Sequence, residues 1–190
     1  MTFTRTKISD VIIIDPKVHG DDRGYFVETF RQDKLEEFLG FKLHFCQDNE
    51  SKSSRGVLRG LHYQLAPSAQ TKLVRVIQGS VLDVAVDIRE GSPTYGQHVA
   101  VKLTGENKRQ LFVPRGFAHG FVVLEDNTTF AYKVDNYYSP ENDRGMAFDD
   151  AALDINWIIE TSELKLSDKD TKQPSFRDAS HFDYSENLYA

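Results

Sequence analysis

Apolar and polar positions along the chain follow a period of two far more often than a helical period. Val81 to Ile88 shows it best: Leu82, Val84, Val86 and Ile88 take one parity, and Asp83, Ala85 and Asp87 take the other. That is the signature of a strand with two distinct faces. Lys72 to Gln78 sets Lys72, Val74 and Val76 on one face, and Thr128 to Val134 does the same with Phe130, Tyr132 and Val134. Val11-Ile12-Ile13-Ile14 is a short apolar strand ended by Asp15-Pro16. After a polar turn at Gly20 to Gly24, Tyr25 to Phe30 reads as an aromatic strand with Phe26, Glu28 and Phe30 on one face. Lys42 to Glu50 alternates Phe45, Gln47 and Asn49, which aims two amides along the face of Phe45. Further strands are expected at His98 to Leu103, Gln110 to Val113 and Phe117 to Leu124, with His98 a surface histidine among polar neighbours. Helical spacing is confined to Gln32 to Leu39, where Leu35, Phe38 and Leu39 fall at i, i+3 and i+4 and Gly40 can stop the helix. Ser167-Asp168-Lys169-Asp170 can open a short helix, since a capping serine is followed by an acid three residues on. Many short strands divided by Gly, Pro and Asn/Asp turns predict an all-β sandwich or barrel.

Two stretches break the strand pattern with chemistry. Gly56 to Gln64 sets Arg59, Gly60 and His62 into an apolar framework of Val57, Leu58 and Leu61. Strict alternation would put Arg59 and His62 on opposite faces, whereas a bulge at Gly60 would bring both inward. Phe112 to Phe121 again places a histidine, His119, between apolar residues and glycines. Unpartnered polar groups are costly to bury, so two such clusters imply one shared cavity. For Arg115, in the turn after Pro114, solvent exposure is the simple expectation.

Size and charge narrow the options. With 190 residues the chain fits one domain with a substantial core. Its net charge is −6, with no basic block, which argues against a general nucleic-acid-binding surface. The single Cys46 cannot form an internal disulfide, and no Cys/His spacing for zinc is present, so a reducing compartment is expected. No apolar run is long enough for a signal peptide or membrane span, which predicts a soluble, cytoplasmic protein.

Asp22-Arg23-Gly24-Tyr25-Phe26, the strand Gly56 to Gln64, Lys72, Ser92-Pro93-Thr94-Tyr95-Gly96, Val113 to Phe121, Tyr132 and Leu166 to Asp170 together resemble the dTDP-4-dehydrorhamnose 3,5-epimerase family. The resemblance runs through nearly the whole chain in order. It implies a cupin-type jelly roll, a double-sheet β-barrel with a few short peripheral helices. It further implies a single domain over residues 1–190, with residues 150–190 packed on the barrel, and a homodimer with the amino-terminal strand exchanged. The implied substrate is dTDP-4-dehydro-6-deoxy-D-glucose, with no cofactor and no metal. By resemblance His62 is the base, Asp170 the carboxylate that orients it, Tyr132 the acid and Lys72 the cation near the C4 oxygen. Arg23, Phe26, Glu28, Gln47, Asn49, Arg59, His119 and Tyr138 fall at positions that line the substrate and nucleotide pocket. Arg59 suits a diphosphate because a guanidinium offers paired donors.

Three other readings compete. Pro114 to His119 resembles the second motif of metal-dependent cupins, but His62-Tyr63-Gln64 lacks the His-x-His and following glutamate of their first motif. A non-catalytic sugar-nucleotide binding module is a second alternative. A relative that epimerises only C3 or only C5 is the third.

Overall fold

A computed structural model describes residues 1–190. In chain order its strands are β1 (Thr2–Arg5), β2 (Ile12–Asp15), β3 (Val18–Asp21), β4 (Gly24–Val27), β5 (Gln47–Ser53), β6 (Leu58–Gln64), β7 (Lys72–Gln78) and β8 (Ser80–Asp87). They continue as β9 (Arg89–Glu90), β10 (His98–Thr104), β11 (Gln110–Val113), β12 (Phe117–Val123), β13 (Thr128–Val134), β14 (Asp143–Gly145) and β15 (Phe182–Asp183). One α-helix, α1, spans Gln32–Leu39, as its spacing predicts. Gly40 ends it in the left-handed region at φ 81°, and the Gly40 N–H bonds to the Glu36 carbonyl.

Two antiparallel sheets form the body, in the orders β1-β2-β11-β7-β13-β5 and β10-β8-β12-β6-β14. This is an all-β, double-sheet barrel of the cupin jelly-roll type: the strand pattern predicts the all-β sandwich or barrel, and the family resemblance implies the jelly roll. Alternation explains its core. Val74, Val76, Val81, Ala85, Leu111, Phe121 and Phe130 point between the sheets in one buried cluster. There Phe121 and Phe130 stack with centroids 4.0 Å apart, and each buried ring contributes about 1.5–3 kcal/mol. Ile12, Ile14, Leu73 and Phe112 face the other side of the first sheet and are covered by Leu35 of α1.

Strand β8 is buried at every residue, because its second face is covered as well. Met146, Phe148, Leu153, Trp157 and Phe182 pack against Leu82, Val84, Val86 and Ile88. The carboxyl-terminal tail is tied down further by Arg115. That side chain pairs with Asp135 at 3.1 Å, donates to the Leu188 carbonyl at 2.6 Å and lies over the Tyr189 ring. Arg115 is therefore an internal tie and not a solvent-facing loop residue.

The amino-terminal third departs from the sequence reading at two places, the first being that strand β5 begins only at Gln47 within the alternating stretch Lys42 to Glu50 and runs on to Ser53. The aromatic strand ends at Val27 and pairs only with β3, in a hairpin that joins neither large sheet. Phe30 turns back to pack edge-on against Phe45, so Phe26, Glu28 and Phe30 do not share a face. His98 is half-buried and loses some of its basicity to burial, so it is not the plain surface histidine expected. Ser167 does not cap a helix as expected: its Oγ accepts the Asp170 N–H, but only a 3-10 turn forms, at Asp170–Lys172, and its N-cap is Lys169. No helix is long and apolar enough to cross a membrane.

Candidate active site

Between the sheets lies a cavity of about 350 Å³ lined from both sides. Strand β6 supplies Arg59 and His62, and its irregularity is what lets both reach the cavity. The pairing with β12 runs from His62 opposite His119 to Arg59 opposite Phe121, so Gly60 and Leu61 together face the single Gly120. That is the expected bulge. Only glycines fit there: Gly60 has φ 135°, and a Cβ added to it would lie 2.5 Å from the Gly120 Cα.

His62 is 29% exposed at its side chain, and its Nε2 sits 2.5 Å from Oδ1 of Asp170, which is 4% exposed. Ser167 Oγ donates to the other Asp170 oxygen at 2.7 Å and accepts the Asp170 N–H at 3.2 Å. Burial alone would raise the Asp170 carboxyl, but the bonds from His62 and Ser167 outweigh it and hold the group below its ordinary value. Asp170 thus stays ionised at neutral pH and fixes the orientation of the His62 ring.

Lys72 begins β7, on the same inward parity as Val74 and Val76. Its Nζ donates to the His62 carbonyl at 3.4 Å. Burial pulls its ammonium down to about 8, against the attraction of Asp83 and Asp143. Tyr132, on β13, sits in register between Asn49 of β5 and Val74 of β7. Burial raises its phenol, with Arg59 opposing, so Tyr132 keeps its proton at neutral pH. His62 and Tyr132 therefore stand on opposite sheets and line one space.

Asn49 and His119 also line this cavity, and Gln47 donates to the Asn49 amide oxygen at 2.8 Å. A second space of about 220 Å³ shares His62, Lys72 and Tyr132 and adds Tyr138, Asp143 and Lys169. Tyr138 donates to Asp143 at 3.0 Å, and Lys169 pairs with the same carboxylate. Four expected pocket residues lie outside both spaces: Gln47, which reaches only as far as Asn49, and Arg23, Phe26 and Glu28. Arg23 and Phe26 are on the exposed hairpin, with Arg23 paired to Asp21, and Glu28 pairs with Arg31 at 3.4 Å. For Arg23 and Phe26 the reason is topological: a hairpin whose strands pair with neither large sheet does not carry its side chains into its own barrel.

Sequence reasoning missed Asp83, which is wholly buried and bonds His119 Nε2 at 2.9 Å. An acid alternating with apolar residues in an interior strand was its signal. The structure gathers no group of three or more His, Cys, Asp or Glu side chains fit to hold a metal ion. Both cavity histidines instead give a ring nitrogen to a carboxylate. An imidazole held by a carboxylate, a protonated phenol on the other sheet and a buried ammonium, all lining one space, are groups suited to proton transfer at carbons beside a carbonyl.

The sequence profile of the dTDP-4-dehydrorhamnose 3,5-epimerase family matches residues 5–178. The dTDP-4-dehydrorhamnose 3,5-epimerase of Shigella flexneri is 53% identical over 182 residues, which is 96% of this chain and 99% of that protein. The crystal structure of the dTDP-6-deoxy-D-glucose-3,5-epimerase of Legionella pneumophila Philadelphia 1, in complex with dTDP-4-keto-L-rhamnose, superposes with a TM-score of 0.93 at 46% identity. That match covers 97% of this chain and 99% of the other. A 3'-monoepimerase from Streptomyces bikiniensis, bound to dTDP-quinovose, is more distant, at 32% identity and a TM-score of 0.85 over 91% of this chain and 87% of its own. With the match spanning almost its full length, this chain belongs to the dTDP-4-dehydrorhamnose 3,5-epimerase family.

Proposed function

We propose that the protein epimerises dTDP-4-dehydro-6-deoxy-D-glucose at C3 and C5, giving dTDP-4-dehydro-L-rhamnose for dTDP-L-rhamnose synthesis. The observation that carries this reading is the convergence of His62, Asp170, Lys72 and Tyr132 on one cavity. The C4 ketone acidifies the protons on both neighbouring carbons. His62 takes one of them, its free Nδ1 serving as base while Asp170 holds Nε2. Charge then builds on the C4 oxygen, where the Lys72 ammonium stabilises it. Tyr132 delivers a proton to the opposite face, which inverts the carbon. The resulting imidazolium and phenolate return to their starting states by exchange with solvent. No electrons are transferred, so the cycle runs without a redox cofactor.

Arg59 takes the diphosphate, Gln47 and Asn49 contact the sugar nucleotide, and Phe26 or Tyr138 lies against the thymine or the sugar. Arg23, Phe26 and Glu28 serve a second copy of the chain, in a homodimer with exchanged amino-terminal strands. The exposed hairpin supports this, because Tyr25 and Phe26 are 60% and 66% exposed although Lys108 lies over the Tyr25 ring. The lone, free Cys46 fits a reducing, cytoplasmic setting.

The test is incubation with dTDP-4-dehydro-6-deoxyglucose in heavy water, with deuterium followed at each carbon by NMR. Label and inversion at both C3 and C5 are expected. Label at one carbon alone would make the protein a mono-epimerase, and binding without label would make it a non-catalytic module.

A further inference from the structure

The cavity contains two histidine–aspartate pairs, and only one of them is needed to explain the base. His119 and His62 are direct register partners across β12 and β6. Each gives its Nε2 to a buried carboxylate, Asp170 for His62 and Asp83 for His119. Asp83 lies at the centre of the fully buried strand β8, in register with Phe121 on one side and Val101 on the other. A carboxylate in such surroundings is costly unless it is bonded. Both of its oxygens lie near the same His119 nitrogen, at 2.9 and 3.0 Å, and the His119 side chain makes no other hydrogen bond.

A carboxylate accepts, so the proton of a neutral His119 ring sits on Nε2, and Nδ1 is left with a bare lone pair. The ring is kept neutral by its surroundings. Burial pulls its basicity down, Asp83 opposes this, and the nearby Lys72 and His62 pull in the same direction as burial. A neutral ring with an unprotonated Nδ1 cannot donate to an oxyanion. It can accept a hydrogen bond from a hydroxyl. The cation for the C4 oxygen is already present in Lys72.

We infer that Asp83 is a positioning residue for the epimerisation: it holds His119 as the Nε2–H tautomer, so that Nδ1 accepts a hydrogen bond from a hydroxyl of the hexose. This rests on the epimerase reading of the cavity. It divides the work between the two pairs. His62 and Asp170 move protons, and His119 and Asp83 hold the ring that loses them.

Two-bond nitrogen–proton NMR of the imidazole rings reads the tautomer directly, with His119 assigned by its loss in His119→Asn. The wild-type ring should be neutral with the proton on Nε2, and Asp83→Asn, whose amide can donate or accept, should show a mixture of tautomers. Asp83→Asn should also lower kcat/KM by about tenfold to a hundredfold, and the loss should fall mainly on KM, as for a ground-state contact. Because Asp83 acts through His119, the double variant should be no worse than His119→Asn alone. Wild-type kcat/KM in Asp83→Asn, or independent losses that multiply in the double variant, would overturn the inference. A proton on Nδ1 in the native protein would overturn it too, even if Asp83→Asn fails to fold. Should the wild-type protein exchange no deuterium at all, the epimerase reading falls on that result, while the tautomer spectrum still judges the Asp83–His119 pairing separately.

Discussion

Replacing Lys72 by methionine should make the protein more stable and nearly inactive. Burial draws the Lys72 ammonium from 10.5 down to about 8, because a charge is disfavoured away from water. At about 1.4 kcal/mol for each tenfold change in protonation, folding with that charge retained costs about 3 kcal/mol. The cost is fully present below about pH 8, where Lys72 is protonated in both folded and unfolded chains. Between about pH 8 and 10.5 the unfolded chain binds the extra proton, so the fold gains stability as pH rises. Methionine removes the charge at similar length. Lys72→Met should therefore raise the unfolding free energy near neutral pH by up to about 3 kcal/mol, less whatever Asp83 loses with its cationic neighbour. For a chain of this size that is a rise of about 6–12 °C in Tm. Urea unfolding of both proteins at a series of pH values, followed by the fluorescence of Trp157, measures the difference. A variant no more stable at neutral pH, or whose advantage does not shrink as pH rises past 8, would refute the reasoning. In the same variant, solvent deuterium incorporation should be nearly lost, which would make Lys72 a case of stability given up for activity.

Three further outcomes are expected. His62→Asn should lower exchange at both C3 and C5 by about a hundredfold to ten-thousandfold with the unfolding midpoint nearly unchanged; substantial turnover would remove His62 as the base. Tyr132→Phe should impair inversion more than proton abstraction, so that label washes in at the original configuration, and equal loss of both would count against its role as acid. The rate should fall as pH rises through about 8, where Lys72 loses its proton. Lys72→Arg, whose guanidinium stays charged, should move that fall to higher pH, and an unmoved profile would assign it to another group.

The sheets were legible because alternation at Lys72 to Gln78, Val81 to Ile88 and Thr128 to Val134 records directly which side chains face inward. The bulge at Gly60 was legible too, since only a break in alternation puts Arg59 and His62 in one cavity. Pairing across the sequence was not. His62 and Asp170 are 108 residues apart, and only likeness to a family joins them on paper. Asp83 was hidden for a different reason. Its parity opposite Leu82 and Val84 reads as a wet face, and only the closure of one sheet over the other makes that face dry. The reading of Tyr25 to Phe30 as one strand failed where local pattern carries least weight: the strand stops at Val27, and its spacing looks the same whether or not a large sheet receives it. Arg115 looked like a loop residue because its partners, Asp135, Leu188 and Tyr189, come together only in the folded chain.

The distance along the chain between His62 and Asp170 also has a consequence in time. Synthesis proceeds from the amino terminus at about 5–20 residues per second, so a nascent chain carries His62 for roughly 5–20 s before the carboxylate that orients it exists. Every strand of the two large sheets precedes Asp170. A ribosome-bound chain can therefore complete the whole barrel while its histidine is still unaligned, and competence arrives as a late, separate event after the scaffold has been made.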